Sequence, residues 1–269
     1  MMLRRWPVLA QGLRDRRRSL TWWSVGVAIY IAFIAAVYPS ISSTPGLADL
    51  ENQLPESIMA LMGASDYSFS TGAGYVSGEL FGFMIPIFAL ILVIGAGGSA
   101  IGGAEERGTL DLLLSHPITR TRVLLQSAAL LAVEAVVFGV VIVVALLIAN
   151  PITDLGIDAA NLVGAVTGIV LLAITLGSLA LIIGAATGSR AIALAVSGSF
   201  AAVSYFASSL SGLVSFLQPA KWFSPFWYST AGSPLVGGYT WWHGLVLIAA
   251  SAVLLAIGAF LFERRNLAS

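Results

Sequence analysis

Cysteine is absent from all 269 residues, which excludes disulfide frameworks, thiolate metal sites and cysteine nucleophiles. Histidine occurs twice, at His116 and His243, too far apart in sequence to seed a histidine metal cluster, and no metal site is expected. Lysine occurs once, at Lys221 after Ala220, and the phosphate-binding pattern G-x-x-x-x-G-K-[ST] occurs nowhere. Charge of either sign is scarce. Charged residues make up 10% of the chain, against about 25% in soluble domains. Hydrophobic residues make up 58%, and the mean hydropathy is +0.93. Such a chain lacks the polar surface to remain in water and is an integral membrane protein. Its apolar runs lack the alternation of short strands, so a barrel built from segments of about ten residues is excluded. No internal repeat of 20–50 residues is evident.

A bilayer-spanning helix needs about 20 mostly apolar residues. Six segments qualify, over 22–41, 78–104, 123–149, 159–187, 191–217 and 241–262. The basic residues give their direction. Twelve of the thirteen precede the first span, follow the sixth, or lie between the second and third or the fourth and fifth; Lys221 alone falls on the other side. The positive-inside rule places both termini in the cytoplasm. Acids collect on the opposite side, at Asp49, Glu51, Glu56, Asp66, Asp154 and Asp158. Residues 1–21 repeat Leu3, Trp6, Ala10, Leu13 and Leu20 at near-helical spacing among six arginines. This predicts an amphipathic helix lying in the cytoplasmic interface before the chain turns into the first span; a plain topogenic tail is the alternative. The apolar run that follows is too long for a cleaved signal. The outside connections are 42–77, with a short amphipathic helix after Pro45, then 150–158, and 218–240. The last carries Trp222, Phe223, Phe226, Trp227 and Tyr228, which suit an aromatic belt at the headgroups or a partly re-entrant element near a gate.

The charge-dense stretch GGAEERGTLDLLLSHPITRTR, residues 102–122, lies between the second and third spans. Thr109 is placed to cap a short helix with Asp111 near its positive end. Leu110, Leu112, Leu113 and Leu114 give that helix an apolar side, and Pro117 stops it. Thr119 or Thr121 is placed to cap the third span. A leucine-rich helix on a cytoplasmic elbow must lie on the bilayer or dock into a groove on another protein.

The pattern E-E-x-G-T-L-x-x-L-L-S-x-P-[IV]-x-R resembles the signature of type-two ATP-binding-cassette exporter permeases. Glu105, Glu106, Gly108, Thr109, Leu110, Leu113, Leu114, Ser115, Pro117, Ile118 and Arg120 fill it. GYVSGELFGFMIPI, residues 74–87, is similar to the start of that family's second span. A lysine common a few residues into the third span is replaced here by Gln126. The resemblance implies a permease without its own ATPase. Glu105, Glu106, Arg107, Gly108, Thr109, Leu110, Leu113, Leu114, Pro117 and Arg120 would form a coupling loop, residues 105–122, inserted into two copies of a separate ATPase subunit that holds ATP and magnesium. A second permease, identical or related, would complete the transporter. The chain itself is then no enzyme and holds no cofactor, and its remaining partner is membrane lipid; no nucleic-acid partner is expected.

Glu134 falls near the middle of the third span, where an isolated carboxylate is costly and marks a functional candidate. It is a point on a substrate path or cation contact, or a protonated carboxyl bonding a neighbouring helix, for instance through a Ser or Thr of the fourth or fifth span. Glu79, at the outer end of the second span, is a candidate for lining an outer gate. Small residues at four-residue spacing, Gly78/Gly82, Gly95/Ser99/Gly103, Gly164/Gly168 and Gly184/Gly188, allow close helix packing, within the chain or at a dimer contact. Pro86 predicts a kink in the second span. Ser197 and Ser199 lack the nearby base that an intramembrane serine protease needs. The expected molecule is an all-α membrane protein: an interfacial helix over 1–21 and one six-span domain over 22–269. The expected function is ATP-driven export across the plasma membrane. The alternative is an ion-coupled secondary transporter built on Glu134.

Overall fold

The computed structural model describes residues 7–43, 55, 58, 68, 70–110, 118–212 and 214–265. Among them the chain is helical without strands, and six helical stretches are long and apolar enough to cross a membrane. The first span is α1 (Pro7–Ser42). The second is compound: α2 (Gly72–Val76), a π-helical segment (Ser77–Met84), then α3 (Ile85–Ala100). A single turn and a half, α4 (Gly102–Glu106), leads into the loop. The third, fourth and fifth spans are α5 (Arg120–Thr153), α6 (Ala159–Thr187) and α7 (Arg190–Leu210). A short α8 (Pro225–Thr230) and a second π-helical segment (Ser233–Gly237) precede the sixth span, α9 (Trp241–Arg264). The helix anticipated after Pro45 lies outside the described residues.

From Pro7 onward the amphipathic N-terminal segment is helical, but the turn anticipated at about residue 21 is absent. It continues into the first span as one helix of 36 residues, about 54 Å long at 1.5 Å per residue. Contacts with α5 hold it straight. Val8 meets Gln126, Gly12 meets Leu130, and Arg16 meets Glu134, each pair 118 residues apart, so the two helices run parallel in register.

The second and fourth spans form the centre and are the most enclosed of the six. Their backbones nearly touch: a β-carbon on Gly97 would lie 2.4 Å from the carbonyl oxygen of Gly177. Only glycine permits that approach. The fourth span also holds the sixth, through Thr175 Oγ1 and Ser251 Oγ at 3.0 Å. Not every small-residue pair faces another span: Gly164 meets the Cβ and backbone of Tyr239, and Gly168 meets the Ser229 carbonyl of α8 and the Tyr239 ring, both from the connection before the sixth span.

Pro86, anticipated as a kink, stands where the second span changes helix type. It stands in the first turn of α3, directly after the π-helical segment. A proline has no N–H to give the carbonyl four residues back, which is that of Gly82. Tyr205 Oη of the fifth span donates to that carbonyl at 3.3 Å. The fifth span itself ends at Leu210, short of the anticipated 217. The run Ser208–Ser209–Leu210–Ser211–Gly212 favours local side-chain hydrogen bonds over helix, and Ser211 Oγ donates to Ser208 O at 2.8 Å.

Hydrophobic burial divides into two clusters. The larger fills the middle and far end of the bundle. The smaller sits at the basic end and joins Ala96, Ile101, Leu110, Leu124, Leu131, Leu181 and Phe262, so the loop and four spans share it.

Candidate functional site: the loop and its clasp

The loop leaves the second span through α4, whose last residues point Glu105 and Glu106 in different directions. Glu105 meets Arg265, just past the end of the sixth span. Arg265 Nη1 donates to Glu105 Oε2 at 2.8 Å, and Nη2 donates to Oε1. This is the two-pronged geometry in which guanidinium and carboxylate bind most strongly. Arg265 Nη1 also donates to the Ala185 carbonyl, at the end of the fourth span, at 2.9 Å. One side chain thereby joins the loop to two spans.

Glu106 serves the fifth span. Its Oε1 accepts from the backbone N–H of Arg190 at 2.8 Å and from Ser189 Oγ at 3.0 Å. These groups begin α7, where unsatisfied N–H groups and the positive helix end favour an anion. The Arg190 N–H, followed by the Ser189 hydroxyl, holds the Glu106 carboxyl below its ordinary value.

The returning side of the loop repeats the pattern. Thr119 caps the third span by accepting from Arg122 N at 3.3 Å. Arg120 donates to the carbonyls of Phe262 and Arg265, at the carbonyl-rich end of α9. Thr121 Oγ1 donates to Glu263 Oε1. Both roots of the loop are thus tied to the sixth span.

Several residues singled out as partner contacts occupy intramolecular positions. Glu105, Glu106 and Arg120 bind the chain's own spans. Leu110 is fully buried beside Phe262 and Leu124, so its side chain anchors the loop rather than facing outward. Thr109 was placed as a cap; it is itself helical, and its hydroxyl donates back to Ala104 O at 2.9 Å. Arg107, Gly108 and Thr109 are exposed. Gly108 takes φ +66°, a left-handed conformation that favours glycine. Leu113, Leu114 and Pro117 lie outside the described residues.

Glu134 is not an isolated carboxylate: it bonds a neighbouring helix, through an arginine of α1 rather than a Ser or Thr of the fourth or fifth span. Arg16 Nη1 of α1 donates to its Oε2 at 3.3 Å, and Arg16 Nη2 donates to Ala96 O at 3.3 Å. Glu134 is completely buried, and its Oε1 has no hydrogen-bond partner. Two turns earlier, Gln126 Oε1 accepts from Val8 N at 2.9 Å and Leu9 N at 3.3 Å. It caps the start of α1 from a neighbouring helix. A lysine at this position has no acceptor and could not do so.

A wide groove of about 620 Å³ opens between α3 and α7. Phe83, Pro86, Ile91, Tyr205, Phe206 and Phe226 line it, with Arg190 at its basic end. Neither Glu79 nor Glu134 is among its lining residues. Glu79 is half-buried in the first turn of the π-helical segment. Of the aromatic connection 218–240, Phe226 is buried while Trp222 and Phe223 are exposed.

Arg265, Glu263, Ser189 and Arg16 were not anticipated as site residues. The arginines were legible only as topology signals, because their partners are 160 and 118 residues away. Ser189 carried a weak signal, following Gly188 at the fourth-to-fifth turn as a cap should.

Six apolar helices and an internally clasped loop define a multi-pass α-helical membrane protein. Residues 6–267 match the family described as "ABC-2 family transporter protein". The chain belongs to that family and is a membrane subunit of an ATP-binding-cassette transporter. No curated protein matches the chain.

Proposed function

We propose that this chain is the permease of an exporter that moves a hydrophobic or amphipathic cargo out across the plasma membrane. Its termini are cytoplasmic. A second permease, identical or related, pairs with it, and two separate ATPase subunits supply ATP hydrolysis with magnesium. Each ATPase receives the 105–122 loop. The family match over nearly the whole chain carries this reading, and the signature residues of the loop support the docking.

The clasp suggests how a push on the loop would travel. Glu105 through Arg265 reaches the fourth and sixth spans, Glu106 reaches the fifth, and Arg120 with Thr121 reaches the sixth again. Leu110 couples the same loop to the small hydrophobic cluster beneath it. Displacement of the loop therefore pulls on three spans, the fourth, fifth and sixth, through these bonds. Motion of α7 against α3 changes the width of the groove between them, whose apolar and aromatic walls suit a greasy cargo.

The test is co-purification of the tagged chain from its native membranes in mild detergent, with mass spectrometry of what accompanies it. A chain bearing an ATP-binding cassette should co-purify, and Gly108→Pro should remove it. Absence of any ATPase, under conditions that preserve other membrane complexes, overturns the docking and leaves an ion-driven carrier to be sought at Glu134.

A further inference from the structure

Hydroxyl side chains in apolar helices ordinarily bond back to a carbonyl of the preceding turn. This chain follows the rule: Ser99 donates to Gly95 O at 2.7 Å, Thr167 to Val163 O at 2.7 Å, and Ser251 to Leu247 O at 2.9 Å. Ser77 breaks it. Its Oγ is buried and has no hydrogen-bond partner. A buried hydroxyl left unsatisfied costs about 1–3 kcal/mol, so its orientation needs a reason.

Ser77 lines a small cavity of about 30 Å³, together with Ser229, Thr230 and Ser233. Ser229 and Thr230 both donate their hydroxyl hydrogens to Phe226 O, at 2.9 Å each. Their oxygens keep lone pairs free to accept. Ser77 holds an O–H with nothing to give it to. The cavity therefore pairs one unmatched donor with unmatched acceptors. This water-accessible space exceeds the roughly 10–15 Å³ that a cavity needs to hold a water, and a buried water makes about three hydrogen bonds.

The surrounding backbone is irregular on both sides. Ser77 begins the π-helical segment of the second span, and Ser233 begins the π-helical segment before the sixth. Ser233 takes φ +48°, unusual for a residue with a side chain. π-helical turns gather at functional positions, and strained backbone persists where its surroundings hold it.

We propose that this cavity is a binding site for a single ordered water. The water accepts from Ser77 Oγ and donates to the oxygens of Ser229 and Thr230, and it joins the π-helical segment of the second span to α8 beside the fourth span. The joint is then a hydrated one, in which the second span and the 218–240 connection share a replaceable hydrogen-bond partner instead of a fixed contact.

X-ray hydroxyl-radical footprinting of the intact protein in lipid nanodiscs tests this, because a bound water generates radicals where it sits. Phe81 and Leu235 line the cavity and are buried. Both should be labelled well above Leu172, which is fully buried and lines no part of it. Ser77→Val, which fills the space with methyl groups, should lower both to the Leu172 level. Where that variant fails to fold, Ser77→Ala should reduce the labelling. Wild-type labelling no higher than at Leu172 means a dry cavity and overturns the proposal. Labelling unchanged in whichever variant folds means the radicals come from bulk water, which overturns it equally.

Discussion

At the scale of single residues, the chain spends its few charges on holding helices together. The Arg265–Glu105 pair is partly exposed yet doubly hydrogen-bonded, with a further bond to Ala185 O. A double-mutant cycle on Arg265→Ala and Glu105→Ala should give a coupling of about 1–2 kcal/mol, within the range for contacting charged neighbours. The exchange of both residues, Arg265→Glu with Glu105→Arg, should recover part of what either single reversal loses. Additive losses would mean the pair contributes nothing jointly. Arg16 and Glu134 form a more buried pair, and removing one partner strands a charge. Arg16→Ala should cost about 3–5 kcal/mol, whereas Arg16→Met with Glu134→Leu should be close to neutral. Thermal unfolding in one detergent compares them directly. Glu106 adds a pH dependence. Its carboxyl is held below the ordinary 4.5, chiefly by the Arg190 N–H. The stabilisation is therefore complete above that value and disappears as pH falls through the lowered one. The melting-temperature gap between wild type and Glu106→Gln should be constant near neutrality and close on acidification; a gap that widens with acid contradicts the capping role.

At the scale of elements, the contact between the second and fourth spans is the least forgiving. Gly97→Ala should destabilise by about 1–3 kcal/mol, the usual cost of overpacking, since the new methyl meets the Gly177 carbonyl. Gly95→Ala, four-residue spacing partner of Ser99, should be nearly neutral because nothing lies within 4 Å. The same contrast shows what local pattern reveals. The six spans, the Thr119 cap of the third and the position of Pro86 follow from hydropathy and local backbone chemistry, and these were legible. Which glycine of a small-residue stripe faces a neighbour depends on packing between distant segments. Sequence spacing marked Gly95 with Ser99 and Gly103, yet Gly97 makes the tight contact. The continuity of α1 was hidden for a similar reason. A basic amphipathic stretch suits the membrane interface by itself, but register with α5, through Gln126, Leu130 and Glu134, keeps it in line with the span that follows.

At the scale of the molecule, two hydrophobic clusters divide the labour. The larger keeps the spans assembled. The smaller lies under the loop, and charged residues from both loop roots ring it. Of the signature residues, Glu105, Leu110 and Arg120 are turned inward against the permease's own spans, and Glu106 bonds the start of the fifth span while staying exposed with Arg107, Gly108 and Thr109. The motif was legible in the sequence, but the direction of its side chains was not, because each partner comes from a different span. On this account the loop is a lever fixed to the bundle at both roots, with an ATPase acting on its middle. The most direct measurement places a photo-crosslinking amino acid at Leu113 and irradiates native membranes. The account predicts an adduct with a chain bearing an ATP-binding cassette, lost in Gly108→Pro. Adducts with lipid alone, from a correctly folded permease, would contradict it.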